Sequence, residues 1–294
     1  MTRLPLRDAG MAIAVAAIWG MGFVVAKGAI TGFPPILLMA LRFAITAFAL
    51  IWFVPIPRTN WPRLAAVSVI GAAIQYSLTF SGLKGLDAGL AAMILQLEVP
   101  FLILLGALIL GERPSARKWI GIGVAFCGVA LIAGQMQFAG QWLPLVLVVG
   151  GAFTWALGQV ITRGIEGMSG LAITAWVATL ATPQLFIMSL VFETGQSEAL
   201  AAAGPKVWLA AAYLGLVMTA FGYYLWTTLL LRNEVGRIAP FLLLLPIFST
   251  LGGILFLSEV ITLAPFLGGI IILSGVALIT LEPLPAAARG SRPV

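Results

Sequence analysis

The 294-residue sequence has no histidine, one cysteine and little charge: Asp, Glu, Lys and Arg make up only 9% of it. Without histidine it lacks the side chain most used to move protons near neutral pH and to bind metals, so His-based acid–base catalysis and His-containing metal sites are excluded. A single cysteine cannot close an internal disulfide. Cys127 sits in an apolar run from Gly121 to Ile132 and reads as a small packed residue of a helix. No phosphate-binding Gly-x-x-x-x-Gly-Lys-Ser/Thr loop is present, which removes ATP hydrolysis by that device. The acids lie mostly at the edges of apolar runs. An enzyme is therefore not expected, and neither is a cofactor.

The scarcity of charge is matched by an excess of apolar residues, 61% of the chain, and a mean hydropathy of +1.10. A soluble domain carries about 25% charged residues; a chain this apolar needs a bilayer as its solvent. The net charge of +6 does not indicate nucleic acid, because the basic residues fall in short segments between apolar runs, the pattern of a membrane orientation signal. The first apolar run ends in Ala26-Lys27-Gly28-Ala29-Ile30 and leads straight into another, so it is not read as a cleavable signal peptide.

A membrane-crossing helix needs about 20 mostly apolar residues. Ten such spans are expected, at 9–29, 34–54, 64–83, 87–110, 116–133, 143–163, 170–192, 206–230, 236–257 and 263–281. Pro34-Pro35, Pro55-Ile56-Pro57, Glu112-Arg113-Pro114 and Gly204-Pro205 punctuate them. With the N-terminus in the cytoplasm, Arg3, Arg7, Arg58, Arg63, Arg113, Arg117, Lys118, Arg163, Arg232, Arg237, Arg289 and Arg292 are cytoplasmic. Lys27, Lys84 and Lys206 are external, and Arg42 lies inside a span. Twelve against three is a clear positive-inside bias. The expectation is a multi-pass protein of a bacterial-type inner membrane with both termini cytoplasmic.

The chain repeats itself. Gly111-Glu112, Trp119-Ile120-Gly121 and Gly128-Val129-Ala130-Leu131-Ile132 return as Ser258-Glu259, Phe266-Leu267-Gly268 and Gly275-Val276-Ala277-Leu278-Ile279, at a constant shift of 147. Gly89 and Gly236 obey the same shift. Trp19 to Gly28 matches Trp155 to Gly164 at a shift of 136. Two repeats follow, 1–140 and 141–294, of five spans each. An odd number of spans makes the second enter the membrane from the opposite side. The fold class expected is therefore an all-α integral membrane protein of ten transmembrane helices arranged as two inverted five-helix repeats, integrated into one membrane domain. Inverted repeats are typical of transporters, because two similar units can exchange conformations and expose a site to either side in turn. A merely structural or regulatory bundle is the rival reading.

These residues resemble the EamA-type members of the drug/metabolite transporter superfamily. The resemblance rests on the Trp19-Gly20 opening, Ala40-Leu41-Arg42-Phe43, and the paired ends Glu98-Val99-Pro100 to Gly111-Glu112 and Leu245-Pro246 to Ser258-Glu259. It covers nearly the whole chain. The family's usual Glu-Pro is displaced by one residue at Glu98, and Leu245 stands where a second acid would. The resemblance implies an exporter of small neutral metabolites, amino acids including aromatic ones above all, working by alternating access. Its rivals are a multidrug or other metabolite exporter of the same superfamily and, further off, a membrane-embedded enzyme. The partners implied are a small-molecule substrate and the lipid bilayer, with no nucleic acid; self-association is left open.

A substrate site belongs near the midplane between the halves. Residues three and four apart share a helix face, which groups Gln75, Tyr76 and Thr79 on span three, Met93 and Gln96 on span four, Trp155 and Gln159 on span six, and Tyr223 and Trp226 on span eight, with Trp19 on span one. Buried amides need partners or water, so Gln75, Gln96 and Gln159 either line a cavity or hold helices together. Trp61, Trp142 and Trp208 read as interface belt. Arg42 and Glu98 are the ionisable residues inside spans, either an ion pair with each other or groups that handle substrate or protons. Glu98 follows Gln96 by two residues, roughly 200° around a regular helix, so only one of the two is expected on the cavity. Lys84 and Asp87 read as solvated surface. Gly121, Gly128, Gly268 and Gly275 assign spans five and ten to packing, and Pro100, Pro183 and Pro246 read as helix-interior kinks or hinges.

Overall fold

A computed structural model describes residues 5–138, 142–233, 238–260 and 262–281. Arg3, Gly236, Arg237, Arg289 and Arg292 lie outside the described residues. Ten helices long and apolar enough to cross a membrane run Leu6–Ala29, Pro35–Phe53, Trp61–Leu83, Ala88–Leu110, Ala116–Gly134, Trp142–Thr162, Gly170–Phe192, Pro205–Leu229, Pro240–Leu257 and Leu263–Thr280. They are spans one to ten below. Each follows its apolar run because a helix is the form in which a single segment satisfies all its own backbone polar groups in lipid.

The same irregularities occur in both halves. Span three widens to a π-helix at Val67–Ile74, and span eight does so at Tyr213–Phe221. Span four breaks at Gln96-Leu97, between Ala88–Leu95 and Glu98–Leu110. Span nine begins as a 3-10 helix, Ala239–Leu244, before Leu245–Leu257. The helix Glu98–Leu110 ends on left-handed Gly111 (φ 68°), and Leu245–Leu257 ends on left-handed Ser258 (φ 55°), the repeat-related residue.

Packing divides the helices. Span one lies against spans eight and nine; span six lies against spans three and four. Small residues permit the closest approaches. A methyl on Gly158 of span six would lie 2.6 Å from Gly71 Cα of span three. Spans five and ten pack along their glycines: a methyl on Gly128 would lie 2.6 Å from the Gly268 carbonyl oxygen, and one on Gly121 2.7 Å from that of Gly275. Without a hydrophobic drive between helices in lipid, such close contact is what holds them together. Large apolar side chains such as Trp52, Phe53, Leu108, Leu190 and Phe192 are exposed around the outside, facing the lipid. Trp61, Trp142 and Trp208 are exposed too.

The prolines correct one expectation. Pro246 occupies the first turn of its helix and Pro100 the third position of its own, where a missing N–H costs little. The breaks fall just before them, at Gln96-Leu97 and Ala239–Leu244. Of the three, only Pro183 is inside a helix, Gly170–Phe192.

Candidate functional site: a cavity between the two halves

A cavity of about 330 Å³ lies at mid-depth between the two groups of spans. Trp19, Gln75, Tyr76, Thr79, Gln96, Trp155, Gln159, Tyr223 and Trp226 all line it, and so do Arg42 and Glu98. Its wall repeats with the sequence. Trp19 and Trp155 are counterparts at a shift of 136, as are Phe23 and Gln159. Tyr76 and Tyr223, Thr79 and Trp226, Leu95 and Leu242, Gln96 and Leu243, and Glu98 and Leu245 are counterparts at 147. Both halves thus present the same backbone positions to one space.

Met93 departs from the expectation. It lines a separate, much smaller cavity with Asp87, Gly89, Thr250 and Glu259. Each helix residue turns the next by about 100°. Ala92 faces the main cavity, while Met93 points to span ten, where its side chain fills the space over Gly269.

The aromatic wall is held by defined contacts. Trp19 Nε1 donates to the Met218 carbonyl, 3.0 Å away in the π-helical stretch of span eight. The Trp19 ring lies 5.3 Å from Tyr223 and 5.9 Å from Trp226, tilted against both. Tyr76 is stacked on Phe80 at 5.7 Å and edge-on to Phe43 at 4.8 Å. Gln75 Nε2 donates to Thr79 Oγ1 at 3.1 Å, while its buried Oε1 has no partner among the described residues. Gln96 Nε2 donates to the Leu242 carbonyl at 3.2 Å, tying the break in span four to the 3-10 turn of span nine.

Arg42 is 1% exposed. Its Nε donates to Thr219 Oγ1 at 2.9 Å, and its guanidinium carbon lies 4.8 Å from the Tyr76 ring centre. Thr219 in turn donates to the Leu214 carbonyl at 2.8 Å, a bond across five residues that the π-helix permits. No carboxylate lies within 4 Å of Arg42 among the described residues, so the expected ion pair with Glu98 is not formed. Arg42 is steadied instead by a hydroxyl and aromatic faces. The phase argument separating Gln96 from Glu98 also fails. Both face the cavity, because the helix is interrupted at Gln96-Leu97 and the 200° rotation of an unbroken helix does not apply.

Sequence reasoning missed three groups of residues. Leu242, Leu243 and Leu245 line the cavity as counterparts of Leu95, Gln96 and Glu98, so the 147-residue shift was the signal for them. Val276 and Thr280 also line it, which adds a cavity role to a span read as packing alone. Finally, Lys27 bridges helices at one end of the bundle. Its Nζ donates to the Leu83, Lys84 and Leu86 carbonyls at 2.9, 3.0 and 2.7 Å, joining span one to the turn between spans three and four. Beside it Glu259 Oε1, half-buried after span nine, accepts from Ala88 N at 2.8 Å. Burial holds the Glu259 carboxyl above the usual value of 4.5, and the Ala88 N–H partly offsets this. At the opposite end Arg163, the counterpart of Lys27, pairs at 2.6 Å with Glu112, the counterpart of Glu259. Lys84 and Asp87 are exposed.

Ten membrane-crossing helices around a polar and aromatic cavity between two similar halves define a multi-pass membrane transporter. The EamA-like transporter family model matches residues 8–134 and again 142–281, and the chain belongs to that family. It is 32% identical over 279 residues, covering 92% of this chain and 93% of the relative, to a probable amino-acid metabolite efflux pump of Escherichia coli K12. It is 30% identical over the same length to the probable amino-acid metabolite efflux pump of Salmonella typhimurium. A probable terminal-alkyne amino-acid exporter of Streptantibioticus cattleyicolor is 27% identical over 79% of this chain and 77% of its own. A solved crystal structure shares the fold, with a TM-score of 0.64 over 94% of this chain and 97% of its own, at 21% identity. The family is one of transporters, not enzymes.

Proposed function

We propose that this transporter exports small neutral metabolites, amino acids with apolar or aromatic side chains above all, across a bacterial-type inner membrane by alternating access, with both termini in the cytoplasm. The observation that carries the reading is the repeat-built cavity with unlike ends. At the external end, Lys27 and Glu259 bridge spans one and nine to spans three and four. At the cytoplasmic end the counterparts Arg163 and Glu112 hold each other. Lys27 reaches the carbonyls of Leu83, Lys84 and Leu86; the counterpart positions for Arg163 are Leu230, Leu231 and Asn233, at the end of the helix Gly222–Arg232 that continues span eight. Exchange of these two arrangements between inverted repeats closes the cytoplasmic end and opens the external one. The substrate class is supported by the Trp, Tyr and amide groups of the wall, which stack on apolar side chains and hydrogen-bond polar groups. The names of the relatives from Escherichia coli and Salmonella typhimurium support it too.

A second reading, export of organic cations, is favoured by the presence of Glu98 on the cavity; the Arg42 guanidinium in the same wall opposes it. The test is transport by purified protein in liposomes holding a mixture of amino acids, with and without a pH gradient. Protein-dependent movement of phenylalanine, tryptophan, methionine or threonine is expected. If folded protein moves no amino acid, the substrate class is wrong and drugs or other metabolites take its place.

A further inference from the structure

We infer that Arg42 and Glu98 divide the recognition of one substrate between them, Arg42 taking the carboxylate and Glu98, with Gln75 Oε1, taking the ammonium of a zwitterionic α-amino acid; this rests on the amino-acid reading above and deepens it.

A charge removed from water without a partner is penalised by several kcal/mol, and such groups inside a membrane are paired or functional. Arg42 is almost wholly buried yet has no carboxylate within 4 Å among the described residues. One of its five N–H groups is on Thr219; among the described residues the only other hydrogen bond of its guanidinium nitrogens is a long one to the soft Met39 sulfur, at 4.0 Å. The nitrogens beyond Nε form a fork suited to a carboxylate, and the residue lines the cavity. Tyr76 and Thr219 fix the guanidinium so that little freedom is lost on binding.

Glu98 brings a carboxyl group to the same space. It lines the cavity and takes part in no hydrogen bond or ion pair of its side chain among the described residues. Arg42, Glu98 and Tyr223 line the same cavity, which places the two ionisable side chains around one volume. Gln75 contributes a buried amide oxygen without a donor, on the same wall. A ligand with one carboxylate and one ammonium satisfies all three groups at once and brings no net charge. A ligand lacking either end leaves a buried charge unmatched, the situation that gives polar sites their strongest discrimination. Trp19, Tyr223 and Trp226 are left to receive an apolar or aromatic side chain.

The second half has no copy of this acid: Leu245 stands at the counterpart of Glu98. A substrate is therefore held in one orientation, by the first half, although the wall is shared.

The test is exchange of labelled phenylalanine by purified protein in liposomes, competed with phenylalanine, with its methyl ester, which lacks the carboxylate, and with 3-phenylpropionate, which lacks the ammonium. Unlabelled phenylalanine is expected to compete at least tenfold better than either analogue. In Arg42→Gln the advantage over the ester shrinks toward unity, while that over phenylpropionate persists; in Glu98→Gln the pattern is reversed. Arg42→Lys, which keeps the charge, retains part of the advantage over the ester. Equal competition by the three compounds on the wild-type protein overturns the division and leaves amino-acid export standing. So do variants that exchange phenylalanine with unaltered ratios. The competition series on the wild type decides the matter even if a variant does not fold. A folded wild type that exchanges no amino acid overturns both readings.

Discussion

At the Lys27 end of the bundle a cation and a carboxylate reach across to other helices; at the Arg163 end their repeat-related partners hold each other. Lys27 and Arg163 are sequence counterparts, Lys27 within span one and Arg163 in the turn just after span six, and Glu259 and Glu112 follow corresponding helices. The two helices before Glu112 and Glu259 end on counterpart left-handed residues, Gly111 and Ser258. Repeat-related acids and bases therefore adopt two arrangements in one molecule. The difference teaches that sequence alone does not set the state of each end; the relative placement of the packed groups does.

The comparison can be broken outright at the seam of the halves. In Gly128→Leu the new side chain meets the Gly268 carbonyl. Overpacking of this kind costs on the order of 3 kcal/mol, and loss of the monodisperse peak in size-exclusion chromatography of the purified protein is the expected result; a normal elution profile and melting temperature would show that spans five and ten do not depend on this contact.

Lys27→Ala removes three hydrogen bonds from a charged donor and is expected to lower stability by about 2 kcal/mol. It also unties the Lys27 end, so a cysteine placed at Phe80 in a Cys127→Ser background becomes more accessible to a membrane-impermeant reagent from that side. Arg163→Ala is expected to leave that labelling unchanged, because its own end is not bridged in this way. Equal labelling of both variants would remove the asymmetry.

The helix ends sharpen the comparison on a smaller scale. Gly111 takes its left-handed conformation without strain, whereas Ser258 pays a steric cost there. Ser258→Gly is expected to stabilise by roughly 0.5–1 kcal/mol and Gly111→Ser to destabilise by about as much, read as opposite shifts in thermal midpoint.

The smallest effects belong to the acids. The Arg163–Glu112 pair is half exposed on both sides, so Glu112→Gln should cost less than about 1 kcal/mol. Glu259 differs in kind. Its carboxyl binds a proton more tightly in the folded protein than in the unfolded chain, where the value is 4.5. Its contribution is therefore greatest below the unfolded value and declines as pH rises through the raised folded one. Glu259→Gln should flatten that part of the stability–pH curve and Glu112→Gln should not; the same slope in wild type and Glu259→Gln would remove Glu259 as its source.

Much of this architecture was legible in the chain. Hydropathy located all ten spans to within a few residues, since in lipid a long apolar run has little choice but to be a helix. Periodicity grouped nine of the ten residues proposed for substrate contact on what proved to be one cavity wall, Met93 being the exception. The failures share a cause. Gln96 and Glu98 were set on opposite faces by assuming an unbroken helix, and the break between Leu95 and Glu98 brings both to the cavity. Arg42 and Glu98, similar in depth, were read as either an ion pair or groups that handle substrate or protons; the pair is not formed among the described residues, and Thr219 and Tyr76, distant in sequence, position the guanidinium.

By itself, then, the sequence determined that the chain crosses a membrane ten times and that its two halves are copies, because both properties are written in local composition and in register. Which of the repeated positions share a cavity, which buried ionisable side chains lack an ion-pair partner among the described residues, and which carbonyls Lys27 reaches are settled by the tertiary structure. Those outcomes depend on helix breaks and on contacts between residues that are far apart in sequence, and no local pattern encodes either.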